Sequence, residues 1–203
     1  ASTNIAIGET AELSAKVISD NIDINEITWS SSNSDVAIVY ANGSSATITA
    51  VSKGKTTIIA TTSDGVSATF TLSLYQPVTS IELNKTNLTI PIGSSAQLIA
   101  TVLPSDADNQ KIRWDTDNYN VAYAVDGLVT AKEVGTATIT AITDDGRFTA
   151  SCVVTVVQPV TSVKLNSTSL SIIKGKTSQL TVEVSPWDAT DKSVTWSSSN
   201  ASV

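Results

Sequence analysis

The 203-residue chain has no histidine, no methionine and a single cysteine. Without histidine it lacks the commonest general acid–base and the commonest metal ligand. One cysteine, Cys152, excludes an internal disulfide and a thiolate metal cage. Charge is sparse too: Asp, Glu, Lys and Arg make up 15%, against about 25% in an ordinary soluble domain. The little charge present is acidic, with 12 Lys plus Arg against 19 Asp plus Glu and a formal net charge of −7. That leaves no basic footprint for nucleic acid. Glycine is scattered singly, so no loop cradles phosphate. No apolar run approaches the roughly 18 residues of a membrane-spanning helix, and stretches such as Cys152–Val157 are only strand-length. The chain opens on Ala1 in polar sequence without a leader pattern. If secreted, it is expected to be a mature or excised piece.

Ser and Thr fill the gap, at roughly three residues in ten, beside abundant Val and Ile. This is strand composition. A hydrophobic fraction of 41% is enough for packed cores and argues against disorder.

Alignment on tryptophan exposes an internal repeat. Gly8, Gly93 and Gly175 each precede a tryptophan by 21 residues, at Trp29, Trp114 and Trp196. The glycines sit in IGETAEL, IGSSAQL and KGKTSQL, and seven residues past each tryptophan stands Val36, Val121 or Val203. QPVTS occurs at Gln76–Ser80 and again at Gln158–Ser162, 82 residues apart. The predicted repeats are 1–77, 78–159 and 160–203. The first starts about eight residues late, and the third holds only the N-terminal half of a unit.

The second repeat shows what one unit builds. Ile81, Leu83, Leu88 and Ile90 form a first strand region kinked near Asn84–Thr86. Ser95–Leu103 alternates as a second strand, and Lys111–Asp115 places Ile112 and Trp114 inward. Asp126-Gly127 turns the chain into Leu128–Ala131. Thr136–Thr143 then points Ala137, Ile139 and Ala141 inward, and Asp145-Gly146 leads into Phe148–Val157, with Phe148, Ala150, Cys152, Val154 and Val156 on one face. Asp-Gly between alternating runs signals a hairpin, and the first repeat offers Asn42-Gly43 and Asp64-Gly65. Seven short strands with regular turns predict an all-β fold of tandem antiparallel sandwiches, each with its tryptophan buried between the sheets.

These motifs carry a resemblance. VTSIELN (78–84), GSSAQLIATVLP (93–104), TAKEVGTATITA (130–141) and the closing CVVTV (152–156) are similar to the bacterial immunoglobulin-like domain, group 2. WSSSN recurs at Trp29–Asn33 and Trp196–Asn200, and the second repeat departs from it with WDTDN (114–118). The first repeat carries about four extra residues between Trp29 and Gly54. The resemblance implies immunoglobulin-like sandwiches in an extracellular surface protein or fibre, or in a phage virion, or as an accessory module of a secreted polysaccharide-degrading enzyme. Its implied partners are neighbouring repeats of a longer chain and, beyond them, a cell-surface glycan or host protein.

No residue constellation supports catalysis, and no catalytic, cofactor or metal residue is assigned. Asp106, Asp108, Asp144 and Asp145 gather in two loops that, in an immunoglobulin-like topology, face the preceding domain. Asp20, Asp23, Glu26 and Asp64 in the first repeat, and Asp188 and Asp191 in the third, occupy similar places. Such oxygens could hold calcium, but Asp is also the ordinary turn residue, and that reading is preferred. Trp187 has no counterpart in the other repeats; it is expected to pack at the repeat junction, with ligand contact the alternative. Cys152 reads as core packing. The five Asn-x-Ser/Thr sequons, at Asn42, Asn84, Asn87, Asn166 and Asn200, follow from the Ser and Thr content. Residues 160–203 lack a facing sheet for Trp196 and Leu180. The expectation is that this segment does not fold alone, and that continuation past Val203 is favoured over strands from another chain.

Overall fold

The computed structural model describes residues 2–18 and 26–202. Asp20, Asp23 and Val203 lie outside the described residues. The chain divides into two compact units. The first comprises Ala1–Glu82, Thr101–Ile112 and Thr143–Thr149; the second comprises Leu83–Ala100, Arg113–Ile142 and Ala150–Val203. All of the elements named below are strands.

In the first unit, β1 (Ser2–Ala6), β2 (Thr10–Ser14), β3 (Thr28–Ser31), β4 (Ala37–Asn42), β5 (Ser45–Ala50), β6 (Gly54–Thr61) and β7 (Ser67–Tyr75) make two sheets. Their orders are β1-β7-β6-β3 and β2-β5-β4. Alternation decides which side chains meet. Ala46, Ile48 and Ala50 of β5 and Thr56, Ile58 and Ala60 of β6 are buried, while the residues between them are less so. A one-residue slip would turn each set to solvent. Ile5, Val36, Ala37, Ile48, Ile58, Leu72 and Leu74 form the core, with Leu13, Trp29 and Phe70 packed against it. Burial of each large aliphatic side chain contributes about 1.5–3 kcal/mol.

The chain continues through β8 (Ser80–Leu83), β9 (Asn87–Pro91), β10 (Ser95–Gln97), β11 (Ala100–Leu103), β12 (Ile112–Thr116), β13 (Ala122–Val125), β14 (Leu128–Ala131), β15 (Gly135–Thr143) and β16 (Thr149–Val157). Strands β8 and β11 pair with each other. The second unit holds the sheets β12-β15-β16-β9 and β10-β14-β13. Its core is Ile90, Leu98, Val121, Val129, Ile139, Cys152, Val154 and Val156 with small alanines between them, and Trp114 packs against it. The inward set expected for Thr136–Thr143 is in place: Ala137, Ile139 and Ala141 are fully buried.

Four expectations need correction. Ser95–Leu103 is not one strand, because β10 and β11 belong to different sheets. At the break, Leu98 N–H donates to the Gly127 carbonyl (2.8 Å) and Ile99 N–H to Asn84 Oδ1 (2.9 Å), so the backbone changes partner. Nor is the pairing wholly antiparallel: β1 runs parallel to β7, from Ser2 opposite Thr71 to Ala6 opposite Tyr75. Likewise β9 runs parallel to β16, from Asn87 opposite Val153 to Pro91 opposite Val157. The Asp145-Gly146 turn is wider than a two-residue hairpin. Thr143 N–H donates to the Phe148 carbonyl (3.0 Å), and Gly146 and Arg147 take the positive φ angles. In the first repeat the two-residue turn falls on Gly43-Ser44, since Asn42 pairs with Ser45.

The fourth concerns Trp196. Trp29 on β3 and Trp114 on β12 pack against their cores as expected, partly buried, and Trp29 Nε1–H reaches the Gly43 carbonyl (3.0 Å). Trp196 is 55% exposed and lies in no strand. Beyond residue 160 the described strands are β17 (Ser162–Leu165) and β18 (Val182–Ser185), an antiparallel pair. Trp114 sits on β12, whose neighbour is β15; Trp196 has no such neighbour among the described residues. Val163, Leu165, Val182, Val194 and Trp196 instead line an open apolar groove of about 400 Å³.

Candidate functional site at the linkers

The sheets deliver the chain into two four-residue linkers of the same sequence, Gln-Pro-Val-Thr. One joins β7 to β8 and the other joins β16 to β17. An extended segment carrying a proline leaves backbone donors that need partners. In the first linker these come from the acidic loops. Gln76 N–H donates to Asp108 Oδ2 at 2.7 Å, and Asp108 N–H returns a bond to the Gln76 carbonyl at 3.0 Å. Val78 N–H donates to Asp145 Oδ2 at 3.0 Å. Thr79 N–H donates to the Leu103 carbonyl at 2.8 Å. Beneath them Val78 and Ala107 are buried.

Sequence reasoning placed these acids at a junction but gave them to turns. The structure gives Asp108 and Asp145 a specific partner each, the linker amides. Asp106 meets Lys53, whose Nζ donates to the Asp106 carbonyl (3.0 Å) and lies 4.0 Å from its carboxylate. This exposed ion pair is worth at most about 1 kcal/mol. Asp144 uses its backbone, donating to the Lys111 carbonyl (3.0 Å). Among the described residues no three acidic, cysteine or histidine side chains converge as metal ligands do. Glu26, Asp64 and Asp188 are exposed. Asp191 accepts from Ser193 N–H (2.8 Å), a bond that holds its carboxyl below the usual range.

The second linker repeats the geometry with different chemistry. Gln158 N–H donates to Thr190 Oγ1 (2.7 Å), and Thr190 N–H donates to the Gln158 carbonyl (2.8 Å). Thr190 therefore stands where Asp108 stands in the first, each 32 residues past its linker glutamine.

Two asparagines were missed. Asn84 Oδ1 accepts from Ile99 N–H (2.9 Å) while Asn84 N–H donates to the Ile99 carbonyl (3.0 Å). Asn166 does the same with Thr181, both bonds at 3.0 Å. Their recurrence at the same repeat position was the available signal. Two surface tyrosines were also unread: Tyr119 and Tyr123 stack with ring centroids 4.9 Å apart, and Lys132 Nζ lies 4.3 Å from the Tyr119 centroid. Trp187 is 83% exposed rather than packed, and its carbonyl accepts from Lys192 Nζ (2.8 Å). Cys152 is fully buried, and desolvation pushes its thiol pKa up, with Lys85 opposing.

The family described as bacterial Ig-like domain (group 2) matches residues 1–71, 77–154 and 159–203. The chain belongs to this family. An uncharacterized protein of Clostridium acetobutylicum is 37% identical over 152 residues, covering 73% of this chain and 15% of that protein. The minor capsid protein of Enterobacteria phage T3 is 45% identical over 78 residues, 38% of this chain and 18% of the phage protein. An alpha-L-arabinofuranosidase of Bifidobacterium longum is 44% identical over 70 residues, 34% of this chain and 7% of the enzyme. The chain thus spans less than a fifth of each of these relatives. Among the described residues, no helix of this Ig-like chain is long and apolar enough to cross a membrane.

Proposed function

We propose that this chain is a non-catalytic structural spacer, a run of bacterial Ig-like repeats in an extracellular surface protein or fibre. Its units are read as 1–77, 78–159 and 160–203, the last holding the first half of a repeat. One observation carries the reading: in both sandwiches a strand near the start of the repeat pairs in parallel with the last strand. Parallel partners point the same way, so the backbone entering along one and leaving along the other departs from the opposite end of the pair. Tension along the chain then loads the cross-strand bonds together in shear. The linkers pass from strand to strand in four residues, which suits serial repetition.

A virion component is the second reading, favoured by the 45% identity to a segment of the phage minor capsid protein. An accessory module of a secreted polysaccharide-degrading enzyme is the third, favoured by the segment similar to the arabinofuranosidase. In all three the repeats display or separate something else, with a glycan or host protein as the outer partner. Antibody raised against the chain tests the choice on the native source. Labelling of intact cell surfaces supports the spacer reading. Label confined to purified particles moves the assignment to the virion, and co-purification with glycosidase activity moves it to the enzyme module. Label found only in the cytoplasm contradicts all three.

A further inference from the structure

We propose that the two linkers are hydrogen-bond locks of unequal strength, graded by the residue 32 positions past the linker glutamine: the Asp108 carboxylate in the first, the Thr190 hydroxyl in the second. The geometry is shared. Each linker glutamine exchanges a reciprocal pair of bonds with that residue, Gln76 with Asp108 and Gln158 with Thr190. Each fourth residue then donates to the strand beyond, Thr79 N–H to Leu103 O and Thr161 N–H to Ser185 O, both at 2.8 Å. The chemistry differs at one atom. An amide bound to a carboxylate makes a charge-assisted bond, roughly twice as strong as a neutral one.

In the first linker a second carboxylate, Asp145, accepts from Val78 N–H. Lys53 also ties its strand turn to the Asp106 loop; its aligned position in the second repeat is Val134, which cannot make that bond. These acids are therefore positioning residues for the chain between repeats, whichever of the three settings the protein serves.

Amide hydrogen exchange on the full chain tests the proposal, read residue by residue. In the unaltered protein Gln76 N–H should exchange several-fold more slowly than Gln158 N–H, relative to their unstructured rates. Asp108→Ala should speed exchange at Gln76, and Asp145→Ala at Val78, by about threefold to tenfold. Protection at Ile139 should not change. Asp108→Asn keeps an acceptor without the charge and should fall between; it also carries the test if the alanine variants fold poorly. Thr190→Val should release Gln158, and Thr190→Asp should slow it toward the value at Gln76. Equal protection of Gln76 and Gln158 in the unaltered chain would overturn the grading. Exchange at Gln76 unmoved by Asp108→Asn, together with exchange at Gln158 unmoved by both Thr190 variants, would overturn the lock itself.

Discussion

Replacing Gly127 by alanine should destabilise the second unit more than any other single-methyl change at a turn. Asp126 and Gly127 both take positive φ, 48° and 79°, the two-residue hairpin conformation that joins β13 to β14. A non-glycine residue in the left-handed region costs about 1–2 kcal/mol. Space is the larger problem. A Cβ on Gly127 would press into the Leu98 carbonyl oxygen and lie 2.7 Å from Gln97 Nε2 and 3.1 Å from Trp114 Cζ2. Moving the turn away breaks the bond from Leu98 N–H to the Gly127 carbonyl, worth about 1 kcal/mol. The sum is about 2–3 kcal/mol, which lowers the melting temperature of a unit this size by about 10–25 °C. Gly93→Ala is the control. Gly93 has φ 75° but an added Cβ meets nothing within 4 Å, so only the backbone cost applies. Calorimetry on the full chain resolves the two. If Gly127→Ala shifts the transition no further than Gly93→Ala, the packing of Trp114 against this turn has been misread.

Three other outcomes follow from the same geometry. Asp117 Oδ1 accepts from Thr138 N–H at 2.7 Å, which holds its carboxyl below the usual range. A depressed value means that its contribution to stability is present above about pH 3.9 and is lost as pH falls through the folded-state value. Carboxyl carbon NMR should give Asp117 a midpoint below that of aspartate in an unfolded peptide, and a midpoint at or above it would contradict the bond. The buried Cys152 thiol should resist a thiol reagent until the second unit unfolds; rapid labelling of the native chain would show that β16 is open. Millimolar calcium should leave melting unchanged, because Asp108 and Asp145 already serve linker amides. A rise of several degrees that chelator reverses would instead reveal calcium ligation.

Much of the fold could be read from alternation. Ala137, Ile139, Ala141, Cys152, Val154 and Val156 point inward as the period of two requires. Asp126-Gly127 announces its own turn. Alternation names a face and not a neighbour, however, so the parallel partners of β1 and β9 were invisible: parallel pairing leaves no turn sequence between the strands. The break at Leu98–Ile99 was hidden for a related reason. The residues keep alternating while the backbone changes sheet, and the signal lay in Asn84, which reads as a sequon or a kink until its Oδ1 is seen accepting from Ile99. The acids of the linker loops were located by sequence but not understood, since an Asp that caps its own turn and an Asp that accepts a distant amide look alike in a string of letters. Trp196 divides the sequence reading: its motif copies that of Trp29 and suggests burial, but burial depends on strands packed against it, and the facing sheet that residues 160–203 were read to lack is not there among the described residues.

The central claim is that the chain carries serial sandwiches built to bear load between their ends. Single-molecule extension with handles at the two termini measures this directly. Pulling shears the five registered pairs of β1 with β7, and the five of β9 with β16, rather than unzipping them one at a time. The account predicts two separate ruptures, each lengthening the chain by roughly 20–25 nm at about 3.3–3.6 Å per residue, and no rupture from residues 160–202. A chain that extends smoothly, or that gives way in one event, would contradict it.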